Sequence, residues 1–268
     1  MRGVGDHVAG VPAVRPPIPS QESRSAAVLL SLPTTVSGIQ QALAEGAVPI
    51  GGATLVWATW QRDGFPERAV SLRKLPEANV VGREELGAAV LLHQVDDRVP
   101  EVLRRAAGSV GTGAVRRTAT VGGNIVGSTL RCLLPAALVL DARARVLATD
   151  RPYETDLAEL VAKRPLLLGL RWRAPLTSGY RKLPGDAGGP PPFVVAAAVH
   201  TDGEDGGRLL RVAVRDGYDV ISESADCGAG TQAVLDTLWR TPLGALPATA
   251  REAVRAQVTE TLADPALG

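Results

Sequence analysis

Two paired-glycine turns, each leaving a hydrophobic stretch, constrain this 268-residue chain more than any other feature. The first is Val48-Pro49-Ile50-Gly51-Gly52-Ala53-Thr54-Leu55, and the second is Thr120-Val121-Gly122-Gly123-Asn124-Ile125. A paired glycine lets the backbone turn tightly and approach a bulky anion with no Cβ in the way. Successive N–H groups in such a turn form a concave anion site. Two of them in one domain can grip a diphosphate from both sides, which is the geometry a dinucleotide requires. The chain has 29 glycines, so a Gly-Gly pair alone is an ordinary turn signal. The specificity lies in what surrounds the second pair.

The hydrophobic pattern places both turns on regular elements. Ala26 to Leu30 reads as a strand, Thr34-Thr35 as a helix start followed by Val36, Ile39, Ala42 and Leu43 at helical spacing, and Gly46 as its end. Val48 to Ile50 is then a short strand feeding the first turn, so the opening is a β-α-β unit with the glycines at the carboxyl end of its strand, where ligands of open α/β units sit. A short helix carries Trp57 and Trp60, which read as core packing or a subdomain contact, with a ring against a cofactor as the other option. Ala69 to Leu72 is a strand, Asn79 to Val90 a hairpin, Pro100 to Ala107 a helix, Leu133 to Leu140 a helix and Ala144 to Ala148 a strand. Residues 150–164 read as a linker with a short helix. A third unit follows, with strands Leu166 to Trp172, Val194 to His200 and Arg208 to Val214, then helices Thr231 to Leu238 and Ala248 to Thr261. Strands followed by helices make that unit α+β.

Composition excludes several classes. A formal net charge of +1 supplies no electrostatic footprint for nucleic acid or a membrane surface. No apolar run is long enough to span a bilayer, and the N-terminus lacks a secretory layout, so the expected compartment is the cytoplasm. Residues 1–25, rich in Pro and Gly at their start, read as a flexible tail. Cys132 and Cys227 are far apart and fit no zinc or iron–sulfur spacing; His7, His93 and His200 are isolated. No metal site is expected, and the sequence identifies no catalytic acid or base: Tyr180, Arg181 and Lys182 either line a cleft or, as their pattern favours, form a structural strand. Chemistry in this chain must come from a cofactor.

The second turn carries a wider pattern. Arg116-Arg117-Thr118-Ala119-Thr120 precedes it and Leu133-Leu134-Pro135-Ala136-Ala137-Leu138-Val139-Leu140-Asp141-Ala142 follows it. With Leu72-Arg73-Lys74-Leu75-Pro76-Glu77, Leu86-Gly87-Ala88 and Tyr180-Arg181-Lys182-Leu183, this run resembles the FAD-binding domain of the molybdenum hydroxylase flavoproteins. That domain has the vanillyl-alcohol-oxidase-like, PCMH-type fold, and the likeness is greatest to the separate medium subunit of bacterial carbon monoxide dehydrogenase and xanthine dehydrogenase relatives. The resemblance covers roughly residues 26–215, in order. It implies an α+β chain in which a two-subdomain FAD-binding fold (26–165, divided into about 26–78 and 79–165) precedes an α+β C-terminal subdomain (166–268).

The same resemblance implies an FAD-dependent oxidoreductase that passes electrons through its flavin, with iron–sulfur and molybdenum-cofactor subunits as partners and a small molecule as substrate or electron acceptor. On this reading the segment Val48, Pro49, Ile50, Gly51, Gly52, Ala53, Thr54, Leu55 and the segment Thr120, Val121, Gly122, Gly123, Asn124 bind the cofactor. The amides of Gly51, Gly52, Ala53, Gly122, Gly123 and Asn124 would take the diphosphate, and Thr54 and Thr120 would add hydroxyl donors. Asn124 and Leu55 would lie near the ring-bearing half, and Val110 would touch the cofactor. Arg116 either steadies a phosphate or faces solvent. Cys132 stands where relatives place an acidic residue near the cofactor's sugar. After the second turn relatives read A-x-A-S-P-x-x-D-L-L-P, whereas this chain has Val126-Gly127-Ser128-Thr129-Leu130-Arg131-Cys132-Leu133-Leu134-Pro135, one residue shorter. Beyond Lys182, a Gly/Pro loop from Pro184 to Pro192 replaces an arginine-rich segment. These departures motivate an alternative, a scaffold repurposed for a non-redox or stand-alone flavin reaction on a small metabolite.

Overall fold

The computed structural model describes residues 28–148, 151–185, 188–202 and 206–267, arranged around three sheets with helices against them. The expected N-terminal tail lies outside the described residues, as do Ala26 and Ala27 of the first expected strand. The architecture is mixed helix and sheet, in agreement with the α+β expectation.

The first unit contains β1 (Leu29–Ser31), α1 (Val36–Ala44), β2 (Val48–Pro49), α2 (Val56–Asp63) and β3 (Arg68–Val70). Thr35 caps α1, its hydroxyl oxygen accepting from the Gly38 amide at 3.2 Å, and Gly46 closes the turn after it at φ +83°. The three strands are parallel, as the β-α-β pattern predicts, but their order is β1-β3-β2. β3 takes the centre because Ala69 and Val70 are buried, while the flanking Leu29, Leu30 and Val48 stay exposed. The two tryptophans are not core residues. α2 buries none of its side chains; Trp57 is 52% exposed, and both indoles meet the Phe65 ring edge-on, at 5.2 and 6.1 Å.

The second unit contains β4 (Glu85–Gly87), α3 (Glu101–Gly108), α4 (Gly113–Arg116), α5 (Leu134–Val139), β5 (Arg143–Leu147), β6 (Pro152–Thr155), α6 (Leu157–Lys163) and β7 (Leu166–Arg171), with an antiparallel sheet in the order β4-β7-β5-β6. Three expectations change here. The hairpin over 79–90 shrinks to one bridge, Val81 to Leu86, because β4 pairs with β7 instead. The expected linker is structured: β6 pairs with β5, and Asp156 caps α6 by accepting from the Glu159 amide at 2.7 Å. The strand that opens the third unit of the sequence reading, β7, lies inside this second sheet, since Leu167, Leu168 and Leu170 are buried between two neighbouring strands.

The third unit is an antiparallel sheet of β8 (Thr177–Lys182), β9 (Val194–Asp202), β10 (Gly207–Asp216) and β11 (Asp219–Asp226) in the order β11-β10-β9-β8, followed by α7 (Gly230–Trp239) and α8 (Ala248–Leu262). β9 explains how two cores share one strand. Val194, Ala196 and Ala198 join the large core with α3 and α5, while Val195, Ala197 and Val199 join a second core with α7 and α8. Side chains alternate faces along a strand, so a strand buried on both sides reads as an unbroken apolar run. Among the described residues no helix is long and apolar enough to cross a membrane, and no group of His, Cys, Asp and Glu could hold a metal.

His200 joins the two halves of this packing: its Nε2 lies 2.8 Å from the Val139 carbonyl at the end of α5. Burial holds its pKa below the usual histidine value. The folded state therefore binds fewer protons at this site than the unfolded chain, and stability falls as pH drops below about 6.5, the unperturbed histidine pKa. Thermal melts of wild type and His200→Gln between pH 7.5 and 5 should show a steeper acid-side loss of Tm in wild type. Parallel curves would remove His200 as the cause.

Candidate functional site

The first glycine turn leaves the parallel sheet with its amides unused. The Ile50 amide still donates to the Val70 carbonyl at 2.9 Å, and regular bonding resumes where Trp57 donates to the Ala53 carbonyl at 3.0 Å. Between them, the N–H groups of Gly51, Gly52, Ala53, Thr54 and Leu55 have no hydrogen-bond partner among the described residues. Ala53 sits at φ +57°, in the left-handed region, which costs a residue with a Cβ about 1–2 kcal/mol. That conformation turns successive amides toward one side, and α2 begins immediately afterwards with no side chain capping it. Five unpaired amides and a helix start form an anion cradle.

The second turn works differently. The Val121 amide donates to the Val90 carbonyl at 3.0 Å and the Gly122 amide to the Ala88 carbonyl at 2.8 Å. The Gly123 amide donates to Thr120 Oγ1 at 3.1 Å and the Asn124 amide to the Thr120 carbonyl at 3.0 Å. The expectation that the Gly122, Gly123 and Asn124 amides face a diphosphate is therefore corrected: they lock this segment to its neighbours. The side chain of Asn124 is nearly buried, with Oδ1 accepting from the Leu133 amide at 2.9 Å, which fixes the reversal before α5. Its Nδ2 keeps no partner among the described residues.

The glycines also serve a purpose that the sequence reading does not anticipate. A Cβ on Gly51 would overlap Thr120 Oγ1, and one on Gly52 would overlap the Thr118 carbonyl. Both are glycine because the first turn lies directly on the strand entering the second. Gly123 is the residue whose absent Cβ leaves room: only Thr120 Oγ1, at 3.0 Å, is near the position a Cβ would take.

The two turns line one cavity of about 470 Å3, within the roughly 300–1,000 Å3 usual for small-molecule sites. Of the residues expected to bind a cofactor, Pro49 to Leu55, Val110, Thr120, Gly122, Gly123, Asn124 and Cys132 line it. Val48, Arg116 and Val121 do not. Val48 lies on the exposed sheet edge, Val121 is wholly buried, and Arg116 holds its own loop by donating to the Val110 and Gly111 carbonyls at 3.0 and 2.9 Å. The open choice for Arg116 thus resolves to neither a phosphate ligand nor a solvent-facing charge.

Four cations outside the expected cofactor-binding set also line the cavity: Arg73, Arg164, Lys182 and Arg215. Arg73 and Lys182 lie in motifs that carry the family resemblance, whereas no local signal marks Arg164 or Arg215. Among the described residues, no aspartate or glutamate lines the cavity. Arg164 ends α6 in the left-handed region at φ +50°. Lys182 on β8 donates to the Ser109 carbonyl at 2.9 Å. Its neighbours on that strand are structural: the Tyr180 hydroxyl meets Ser109 Oγ at 2.9 Å, and Arg181 pairs with Glu260 at 2.7 Å. The residues present fit FAD: an amide cradle and cations for phosphate, with apolar walls from Ile50, Leu55, Val56, Val110 and Leu130 for the rings.

Comparison with known proteins agrees with this geometry. The model of the FAD binding domain in molybdopterin dehydrogenase matches residues 25–167, just over half of the chain. No curated protein sequence matches. Among solved structures, quinoline 2-oxidoreductase from Pseudomonas putida 86 contains a chain that superposes with a TM-score of 0.65 at 16% identity, covering 90% of this chain and 98% of that one. The cyanide-inactivated form of the Cu,Mo-CO dehydrogenase contains one with a TM-score of 0.67 at 17% identity and the same coverage. The carrying of both glycine turns, the cation-lined cleft and the family match into one chain leads to a single conclusion: the protein belongs to the family of FAD-binding domains in molybdopterin dehydrogenases, oxidoreductase polypeptides whose cofactor is FAD.

Proposed function

We propose that this chain holds FAD across the two turns, with the diphosphate on the Gly51–Leu55 amides, and that it serves as the flavin subunit of a cytoplasmic assembly whose other chains carry iron–sulfur clusters and a molybdenum cofactor. The observation that carries this reading is the run of five unpartnered amides opening into a cleft lined, among the described residues, by four cations and no carboxylate. Bound flavin supplies the hydride and single-electron chemistry; the protein supplies binding, orientation and local charge. Here the left-handed Ala53 aims the cradle, Asn124 Nδ2 and the Thr54 hydroxyl are available as side-chain donors, and Ile50, Val110 and Leu130 keep water from the ring.

The surface supports a partnered chain. Leu29, Leu30, Leu32, Val48 and Trp57 are exposed apolar side chains concentrated in the first unit, and such clusters mark protein contacts. One structural neighbour is itself a molybdenum enzyme by description. No feature of the fold favours the repurposed-scaffold alternative.

Purified protein should be yellow, with flavin absorption that bleaches on dithionite; colourless protein that ignores added FAD would overturn the assignment. Two glycine variants test the placement. Gly123→Val sends a side chain into the cavity and should weaken FAD binding by at least about a hundredfold (~2.8 kcal/mol), with a smaller loss of apoprotein Tm than Gly52→Ala because its Cβ meets only Thr120 Oγ1. Gly52→Ala drives a Cβ into a backbone carbonyl and should lower the Tm as well, by an overpacking cost of about 1–3 kcal/mol. FAD titrations and melts on both variants separate the roles; full FAD occupancy in Gly123→Val would refute the cleft as the site. Affinity purification from the native host should recover an iron–sulfur chain and a large molybdenum-containing chain, and recovery of this polypeptide alone under gentle conditions would argue for a stand-alone flavoenzyme.

A further inference from the structure

Arg215, on β10, is 1% exposed, one of the largest fully buried side chains in the protein. Its Nη1 donates to the Leu130 carbonyl at 3.0 Å and to Cys132 Sγ at 3.3 Å, and its Nη2 donates to the Pro192 carbonyl at 2.8 Å. Its Nε is buried with no partner. Every acceptor is neutral or weak, and Arg215 forms no ion pair among the described residues. A buried charge left without a counterion is strongly destabilising, and guanidinium does not escape by losing its proton. The Leu130 and Pro192 contacts orient the group at the cavity wall without neutralising it.

Cys132 is the reason the charge stays uncompensated. It is the one side chain that Arg215 touches through a hydrogen bond, and it stands where the resemblance places a carboxylate. An aspartate there would close a buried ion pair with Arg215; the thiol makes a weak neutral contact instead. We infer that Cys132 and Arg215 form a unit that presents a fixed, desolvated positive charge to an anionic group of the bound flavin nucleotide. Arg215 is the recognition residue and Cys132 the neutral neighbour that leaves its charge available. Two parts of FAD have the required chemistry: the diphosphate, and the isoalloxazine ring, which gains negative charge on reduction. This inference rests on FAD occupying the cleft. A carboxylate placed at position 132 would therefore weaken binding, whereas one that merely restored a contact to the cofactor's sugar would tighten it.

Cys132→Asp is the decisive variant. It keeps Arg215 and its carbonyl contacts but supplies a counterion, so folding should be retained and the Tm should rise or hold. The full chain, reconstituted with FAD, is compared as wild type, Cys132→Asp, Arg215→Lys and Arg215→Met, by FAD titration, by riboflavin titration and by the flavin midpoint potential. If the anion is the diphosphate, Cys132→Asp and Arg215→Met both weaken FAD by about tenfold or more, the range of a charge-assisted bond, while riboflavin binding moves little. If the anion is the reduced ring, both variants lower the midpoint potential with a smaller change in FAD affinity. Arg215→Lys should fall between wild type and Arg215→Met in either case. Tighter or unchanged FAD binding at an unchanged potential in Cys132→Asp overturns the inference while leaving the cleft assignment intact. Failure of wild type to take up FAD removes the assignment and the inference together.

Discussion

The contact on which this molecule depends is the close approach of the two turns: Gly52 lies on the Thr118 backbone and Gly51 on the Thr120 side chain, with no room for a Cβ on either glycine. That contact joins the parallel unit to the antiparallel one and places the free amides of the first turn beside the locked second turn. The second turn can serve as a wall because its own donors are satisfied by Ala88, Val90 and Thr120. One turn is rigid and closed, and the other is strained and open. The asymmetry gives the cleft one surface with hydrogen bonds to offer and one that holds its shape.

Charge completes the cleft from a distance. Arg73 follows β3, Arg164 ends α6, Lys182 lies on β8 and Arg215 on β10, so all three units contribute to a positive lining that holds no carboxylate among the described residues. In a recess with low-dielectric walls such an arrangement concentrates field on an anionic ligand. The buried member, Arg215, contributes most per charge because water screens it least, and its own backbone is held by the pairing of β10 with β9, where it faces Val194. The third unit is thus part of the site, although most of it packs far from the glycine turns.

The sequence was legible where local rules decide. Thr35 and Gly46 bound α1 as their capping chemistry predicts, and the unbroken apolar run at 194–199 is a doubly buried strand. It was misleading where partners were chosen elsewhere. β4 turned from its hairpin to β7, and the polar stretch at 150–164 acquired a strand because β5 offered it an edge. The edge strand β11, with Ser222, Glu223 and Ser224, carries too little apolar signal to be read at all. The tryptophans of α2 followed the same logic: large rings usually mark a core, yet here the helix meets no sheet and they pack on Phe65.

From sequence alone, the two glycine turns, their spacing and their flanks determined the family, the cofactor and the two turn segments that line the cleft. These are properties of short segments whose chemistry depends on neighbours in the chain. Only the tertiary structure decided which amides remain open, since hydrogen-bond partners such as Ala88 and Val90 lie some thirty positions away from Val121 and Gly122. It alone also brought Arg215 against Cys132, because a contact spanning 83 positions leaves no periodicity or motif in the chain and exists only once β10 has packed against the reversal before α5.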